Sequence, residues 1–148
     1  MKVNLKDLGF SYNKKNKVLK NINLDFLDNQ IVFIMGKNGS GKTTLIQQLN
    51  LLLRANEGQL NYTFDNNKTL SVGVRDKIKN INEIRKNFGF LFQFPEYQLF
   101  ETSVIKDVEF GIKNFFDNDV DSILMSKKAL NKLQIDHLQD ESPLFLSG

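Results

Sequence analysis

The sequence predicts an α/β fold with an antiparallel β section at its N-terminal end and a helical subdomain at its C-terminal end. Three observations predict it. The continuously apolar run Ile31-Val32-Phe33-Ile34-Met35 opens directly onto a glycine-rich loop, the pattern of a strand covered on both faces. A segment of good helix formers follows that loop. Strand and helix patterns then alternate as far as Pro95, beyond which the apolar residues keep a helical period. At 148 residues, with 41% hydrophobic and 25% charged residues, the chain has the composition of one ordinary folded domain.

Each element has its own signal. Val3 and Leu5 alternate in strand fashion, as do Ile22, Leu24 and Phe26 after the polar stretch 13–17, so two early strands joined by a turn are expected. Asp28-Asn29 reads as a turn, and 31–35 as a central strand. From Thr44 to Leu53, Leu45, Leu49 and Leu52 lie at helical spacing. A turn at Glu57-Gly58 precedes an alternating strand through Leu60, Tyr62 and Phe64, closed by Asp65-Asn66-Asn67. Ile78, Ile81 and Ile84 mark a helix over 77–87, and Gly89-Phe90-Leu91-Phe92 a second buried strand. A Thr102-Ser103 cap then opens a helix through Val104, Ile105, Val108 and Ile112. Val120, Ile123, Leu124, Lys127 and Leu130 continue in helical period.

The bulk properties exclude several classes of function. The net charge of +3 arises from 20 basic and 17 acidic residues spread along the chain, so no basic stripe marks a nucleic-acid partner. Without cysteine there is no disulfide framework, Cys-ligated zinc or thiolate nucleophile. No apolar run approaches the roughly 20 residues that span a bilayer. The opening Met-Lys-Val-Asn-Leu-Lys lacks the apolar core of a signal peptide, so a cytoplasmic setting is expected.

The strongest chemical signal is Gly36-Lys37-Asn38-Gly39-Ser40-Gly41-Lys42-Thr43, which matches the phosphate-loop pattern G-x-x-x-x-G-K-[ST] and sits between a strand and a helix, as the mechanism requires. Gly36, Gly39 and Gly41 allow the backbone to approach phosphate oxygens and turn its N–H groups inward. Lys42 supplies a point charge for the β- and γ-phosphates, and the Thr43 hydroxyl is placed to ligate Mg²⁺, a hard ion that takes oxygen ligands. Thr44 is expected at the α-phosphate. Nucleotide binding with Mg²⁺ follows, and the loop alone leaves kinases, GTPases and ATPases open; ATP is the nucleotide that the resemblance below implies.

Three further features, in order along the chain, resemble the ABC ATPases among the P-loop nucleoside triphosphatases. Phe10-Ser11-Tyr12, shortly before Val18-Leu19-Lys20-Asn21-Ile22, looks like the aromatic loop of that family. The resemblance implies that Tyr12 stacks on adenine and that Val18 lies among the nucleotide contacts. Gln93, after Phe90-Leu91-Phe92, resembles the family's Q-loop, implying a catalytic role beside Lys42, contact with Mg²⁺ or the attacking water, and a hinge. Leu146-Ser147-Gly148 looks like the start of the signature motif, which implies that Ser147 and Gly148 cap the ATP held by a second ATP-binding subunit, identical or not. The run Pro95-Glu96-Tyr97-Gln98-Leu99-Phe100-Glu101, with Asp107-Val108-Glu109-Phe110-Gly111, narrows the resemblance to the ATP-binding subunits of energy-coupling factor importers.

That resemblance implies a transport-coupled ATPase, peripheral on the cytoplasmic face of the membrane, that receives an integral membrane component near residues 93–100. It divides the chain into a P-loop core with its β section over 1–95 and a helical subdomain over 96–148. The signature motif is incomplete at Gly148, and the second acidic strand, catalytic glutamate and switch histidine of the family have no match. Asp140-Glu141 reads as a solvated turn and His137 as a lone surface histidine. The expectation is a chain truncated before the later strands, able to bind nucleotide but lacking the hydrolytic residues. A non-transport ABC ATPase and a non-catalytic nucleotide-binding fragment are the alternatives. A P-loop GTPase or small-molecule kinase is a further class, with little support for guanine specificity, since neither Asn-Lys-x-Asp nor Asp-x-x-Gly occurs.

Overall fold

The computed structural model describes all residues except 14, 75, 79, 80, 116–118, 147 and 148, and at 119 and 120 it describes the backbone only. The chain forms two compact units, Met1–Phe90 and Leu91–Gly148. The first is built on an antiparallel sheet of β1 (Lys2–Ser11), β2 (Lys17–Phe26), β3 (Glu57–Thr63) and β4 (Thr69–Gly73), ordered β2-β1-β3-β4. Its helices are α1 (Lys42–Leu49) and the short α2 (Ile81–Arg85). The second unit holds α3 (Val104–Lys113) and α4 (Asp119–Lys132), with 3₁₀ turns at Pro95–Gln98, Asp136–Leu138 and Pro143–Phe145.

β1 is the spine of the first unit. Val3 and Leu5 point into the core, and so do Leu8 and Phe10; a strict period of two would put those pairs on opposite faces. A register shift between Leu5 and Leu8, with Asp7 at φ 50°, inserts the extra residue that restores the phase. The partner strand accommodates this bulge through Gly58, at φ 75°. A Cβ there would collide with the carbonyl oxygens of Lys6 and Asp7. Glu57-Gly58 therefore opens β3 and is not the turn expected before it.

The core gathers on one face of this sheet. Leu60 and Tyr62 of β3 and Val72 of β4 meet Leu45 of α1, Leu51 and Ile84 of α2. β4 was absent from the expected elements, although Thr69-Leu70-Ser71-Val72 alternates as a strand should. Its hairpin closes through Asp65–Lys68, where the Phe64 N–H donates to the Lys68 carbonyl at 2.9 Å and the Asn67 N–H to the Phe64 carbonyl at 2.9 Å.

Helix α1 is shorter than its apolar spacing implied. It stops at Leu49 because Leu51 turns into the left-handed region, at φ 60°, burying its side chain. The carbonyls this exposes are answered: the Tyr62 hydroxyl donates to Leu49 O at 2.9 Å, and an Arg85 guanidinium N–H to Leu51 O at 3.0 Å. The helix expected over 77–87 is confined to Ile81–Arg85 among the described residues; Lys77 and Ile78 precede it in irregular backbone.

Two expected strands do not form. Residues 31–35 belong to no sheet, and Ile31, Phe33 and Met35 are 86%, 81% and 88% exposed. Gly89-Phe90-Leu91-Phe92 is likewise irregular, with Leu91 at 80% exposure. The physical reason is shared: a continuously apolar strand is stable when neighbours cover both faces and pair its edges. The four strands present already satisfy one another in antiparallel register without either run.

The second unit is organised around α3. Ser103 occupies its N-cap in an extended conformation without a side-chain capping bond. The first amides of the helix go instead to the polypeptide after α4: Val104 N–H donates to Glu141 O and Ile105 N–H to Gln139 O, both at 2.9 Å. Asp140-Glu141 is thus an exposed turn whose backbone closes the helix start.

Candidate nucleotide site

The phosphate loop is positioned by β2 beneath it and α1 behind it. Gly41, at φ 94°, is the N-cap of α1. A Cβ at Gly41 would lie 3.1 Å from both the Val18 and the Leu19 side chains of β2. Glycine is therefore needed twice, for the left-handed turn and for the close approach. Leu45 N–H closes the first helical bond to Gly41 O at 2.9 Å. Gly39, at φ 77° with open space around it, turns the crest of the loop, and Ser40 N–H donates to Lys37 O at 3.2 Å.

Lys42 folds back along this loop. Its Nζ donates to Gly36 O at 2.8 Å and to Lys37 O at 2.9 Å. An ammonium has three N–H groups, so the third remains for an anion on the open side. The first amides of α1 have no intrahelical acceptors, as at any helix start, and the helix dipole adds positive potential there. Asn38, Gly39, Ser40 and Thr43 are exposed. The arrangement offers the free amides of a helix start beside the Lys42 ammonium, a combination suited to phosphate.

Tyr12 joins the site from the end of β1. Its hydroxyl lies 3.1 Å from the Thr44 hydroxyl, and its ring meets Phe10 edge-on at a centroid distance of 4.8 Å. Thr44 is buried, whereas Tyr12 is 64% exposed and lines a cleft with Asn13, Lys17 and Glu57. Lys17 and Glu57 close one side of that cleft with an ion pair of 2.6 Å. An exposed aromatic face beside a phosphate-sized donor loop suits a base attached to a polyphosphate.

The first unit thus brings together Tyr12, Val18, Gly36, Lys37, Asn38, Gly39, Ser40, Gly41, Lys42, Thr43 and Thr44. Gln93 belongs to the second unit, where it is exposed and lines a small cleft with Phe92, Phe94, Tyr97 and Gln98. Ser147 and Gly148 lie outside the described residues. Among the described residues no group of three or more His, Cys, Asp or Glu side chains converges as a metal site. A divalent ion here would be held chiefly by phosphate oxygens and water, with Thr43 as its ligand from the loop.

The second unit carries an apolar groove of about 840 Å³, lined by Pro95, Leu99, Val108, Pro143, Leu144 and Leu146 among others. Of the apolar residues Tyr97, Leu99 and Phe100 in the stretch expected to receive a membrane component, only Leu99 lines it. Tyr97 lines the neighbouring cleft, and Phe100 stacks edge-on against Phe110 at 4.8 Å. Asp107, read from the sequence only as part of the run that carries the resemblance, accepts at Oδ1 from the Phe100 and Glu101 amides at 3.2 and 3.1 Å and so ties α3 to the segment before it. An Asp on the first turn of a helix, seven residues after the Phe that it holds, was the available signal.

Comparison with known proteins decides the family. The profile of the ABC transporter family matches residues 19–148. The chain belongs to the ABC transporter family. The energy-coupling factor transporter ATP-binding protein EcfA2 of Clostridium acetobutylicum is 35% identical over the whole chain, which covers 51% of that relative. The EcfA2 protein of Listeria monocytogenes is 36% identical, again over the whole chain and 51% of the relative. Among solved structures, cbiO1 of Clostridium perfringens, part of the ABC transporter complex cbiONQ, superposes with a TM-score of 0.76 at 32% identity, covering 98% of this chain and 55% of that one. A dimeric ATP-binding cassette with ADP and phosphate gives 0.73 at 23% identity, covering 98% and 63%, a likeness of fold. This ABC-family chain spans about half the length of the curated relatives it matches. No described helix is long and apolar enough to cross a membrane.

Proposed function

We propose that the chain binds ATP with Mg²⁺ as part of the ATP-binding subunit of an energy-coupling factor importer, peripheral on the cytoplasmic face of the membrane. The observation that carries this reading is the convergence of Tyr12, Thr44 and the Lys42-buttressed loop on one face of the first unit. Tyr12 offers its ring to adenine, with Val18 supporting the loop from below. The backbone over Gly36 to Gly41 and the first turn of α1 hold the phosphates. Lys42, fixed by two carbonyls, directs its remaining proton at the β- and γ-phosphates, where its charge opposes the negative charge that accumulates during phosphoryl transfer. Thr43 serves as an oxygen ligand for Mg²⁺, which would neutralise phosphate charge; a second ligand role, for Gln93, is what the family resemblance implies.

The domain reading carries over as part of the proposal: a nucleotide core over 1–95 and a helical subdomain over 96–148. In it, Gln93 begins the connection, Ser147 and Gly148 address the ATP of a second ATP-binding subunit, and the apolar surface near 93–100 receives an integral membrane component. The relatives' names, as transporter ATP-binding proteins, support transport over other uses of the fold. Within the 148 residues no described carboxylate or histidine stands at the loop to orient water. Turnover coupled to transport therefore needs groups beyond those in this sequence.

Calorimetric titration of the chain with MgATP, MgGTP and adenosine tests the proposal. MgATP should bind, and Lys42→Ala should weaken it by about 10- to 150-fold, the worth of charge-assisted hydrogen bonds of roughly 1.5–3 kcal/mol, while leaving adenosine unchanged. Equal affinity in wild type and variant would remove the phosphate role of the loop. Steady ATP hydrolysis by the chain alone, abolished by Lys42→Ala, would overturn the requirement for further groups.

A further inference from the structure

Asn38 precedes Gly39 in the phosphate loop, and theirs is the one Asn-Gly pair in a sequence with 18 asparagines. The setting leaves the two residues open to each other. Asn38 is exposed, and its side-chain amide makes no hydrogen bond among the described residues. Gly39 has φ 77° and nothing within 4 Å of the place that a Cβ would take. Its N–H reaches no acceptor among the described residues. Both residues lie at the centre of a turn closed by the Ser40 N–H, which donates to Lys37 O at 3.2 Å. The Lys42 ammonium is fixed in the same loop, 2.8 Å from Gly36 O and 2.9 Å from Lys37 O, where α1 begins.

We propose that Asn38 is a self-modification site: the Gly39 amide nitrogen attacks the Asn38 side chain and converts it, through a succinimide, to aspartate and isoaspartate. The Gly39 N–H first gives its proton to hydroxide. The nitrogen then bonds to Asn38 Cγ, the Cγ–Nδ2 bond breaks, and ammonia leaves with a proton taken from water. Water opens the five-membered imide. Cleavage at Cγ restores the peptide bond and leaves an aspartate side chain; cleavage at the main-chain carbonyl carbon routes the backbone through Cβ and Cγ and leaves isoaspartate. The sum is one water consumed and one ammonia released, with no change of oxidation state. Three features favour the step here. The reacting atoms belong to adjacent residues, so attack is intramolecular. Glycine puts no Cβ beside the attacking nitrogen, whereas every other asparagine is followed by a larger residue. The Lys42 charge and the start of α1 supply positive potential for the anionic nitrogen and for the oxyanion that its attack creates. Both products place a carboxylate in a loop built for anions, and isoaspartate also lengthens the backbone by one atom inside the turn. Weaker phosphate binding by the modified loop rests on the nucleotide reading above; the modification itself does not.

The test incubates the 148-residue chain near neutral pH without nucleotide and follows its peptides by mass spectrometry, with isoaspartyl methyltransferase as the probe for isoaspartate. Asn38 should be converted faster than the other asparagines by about tenfold or more, a barrier difference of roughly 1.4 kcal/mol. The rate should rise in proportion to hydroxide concentration, and isoaspartate should be among the products. Gly39→Ala should slow the conversion by about tenfold or more, because a Cβ then crowds the nitrogen. The wild-type chain unfolded in urea supplies a reference that does not depend on the folding of any variant: the folded loop should react at least as fast. Conversion confined to the unfolded chain overturns the proposal. So does aspartate formed without isoaspartate, which would mean direct hydrolysis, or a rate that Gly39→Ala leaves unchanged. The isoaspartyl fraction, separated by ion exchange, should bind MgATP about tenfold more weakly than the fresh chain. Equal affinity overturns the consequence for the loop, whereas a fresh chain that binds no MgATP counts against the nucleotide reading and leaves the conversion at Asn38 to be judged by the mass data.

Discussion

The Tyr12 hydroxyl lies 3.1 Å from the hydroxyl of Thr44, so the residue proposed to stack on a base also engages the residue proposed at the α-phosphate. A threonine hydroxyl carries a single proton. Where Thr44 donates to Tyr12, that proton is unavailable to phosphate, and nucleotide must exchange one partner for another. Tyr12→Phe should therefore tighten MgATP by about 2- to 10-fold, the equivalent of one neutral hydrogen bond of roughly 0.5–1.5 kcal/mol. Tyr12→Ala should weaken it, because stacking is worth about 1–3 kcal/mol per base. Titration of both variants with a fluorescent ATP analogue separates the two contributions; equal affinities for Phe and Ala would exclude a stacking role.

Gly58 and Asp7 form the second coupled pair. The bulge that returns Leu8 and Phe10 to the core requires β3 to pass without a Cβ at Gly58, whose φ of 75° is itself costly for other residues. Gly58→Ala should destabilise the first unit by about 3 kcal/mol, combining backbone strain with displacement of two carbonyls. Gly89→Ala, where a Cβ meets open space, should cost little. Urea unfolding of both decides the matter, and comparable midpoints for the two variants would contradict the account.

These residues also show how far the sequence could be read. The phosphate loop was legible because local spacing dictates its chemistry: three glycines, one lysine and a following helix need no distant partner to be recognised. Tyr12 was legible only through its order relative to that loop, since an aromatic residue ending a strand has many uses. The bulge at Asp7 escaped notice because the apolar series Val3, Leu5, Leu8, Phe10 breaks period two, and only the facing Gly58 shows which residue is extra. The runs 31–35 and 89–92 have the composition of buried strands, but composition cannot specify whether the neighbours that bury them are present. β4 was missed for the converse reason: its short polar alternation is weak alone and is fixed by pairing with β3.

Gln48 offers a test of core polarity. It is fully buried in α1, and both its amide nitrogen and its amide oxygen lack hydrogen-bond partners among the described residues. Desolvating such groups without compensation is unfavourable. Gln48→Met keeps the length of the side chain and removes both, and should stabilise the chain by about 1–3 kcal/mol. Thermal unfolding followed by circular dichroism reads the change. A lower melting temperature would mean that the amide has a partner, such as a buried water, worth more than its desolvation.

Tyr62 links the end of α1 to alkaline stability. Burial raises its phenol pKa well above the ordinary value of 10.0, while its hydroxyl donates to Leu49 O at 2.9 Å. Above pH 10 the unfolded chain releases this proton and the folded chain retains it. The unfolded state then binds fewer protons, so stability falls as pH rises, by about 1.4 kcal/mol per pH unit from this group until the folded phenol also ionises. Tyr62→Phe should be less stable near pH 7 by about 1 kcal/mol, through the lost hydrogen bond. Between pH 10 and 11.5 its stability should decline less steeply than that of the wild type. Urea midpoints across that range give the difference between the two slopes, which cancels the background from other titrating groups. Identical slopes would show that Tyr62 ionises freely, and would detach the close of α1 from the alkaline transition.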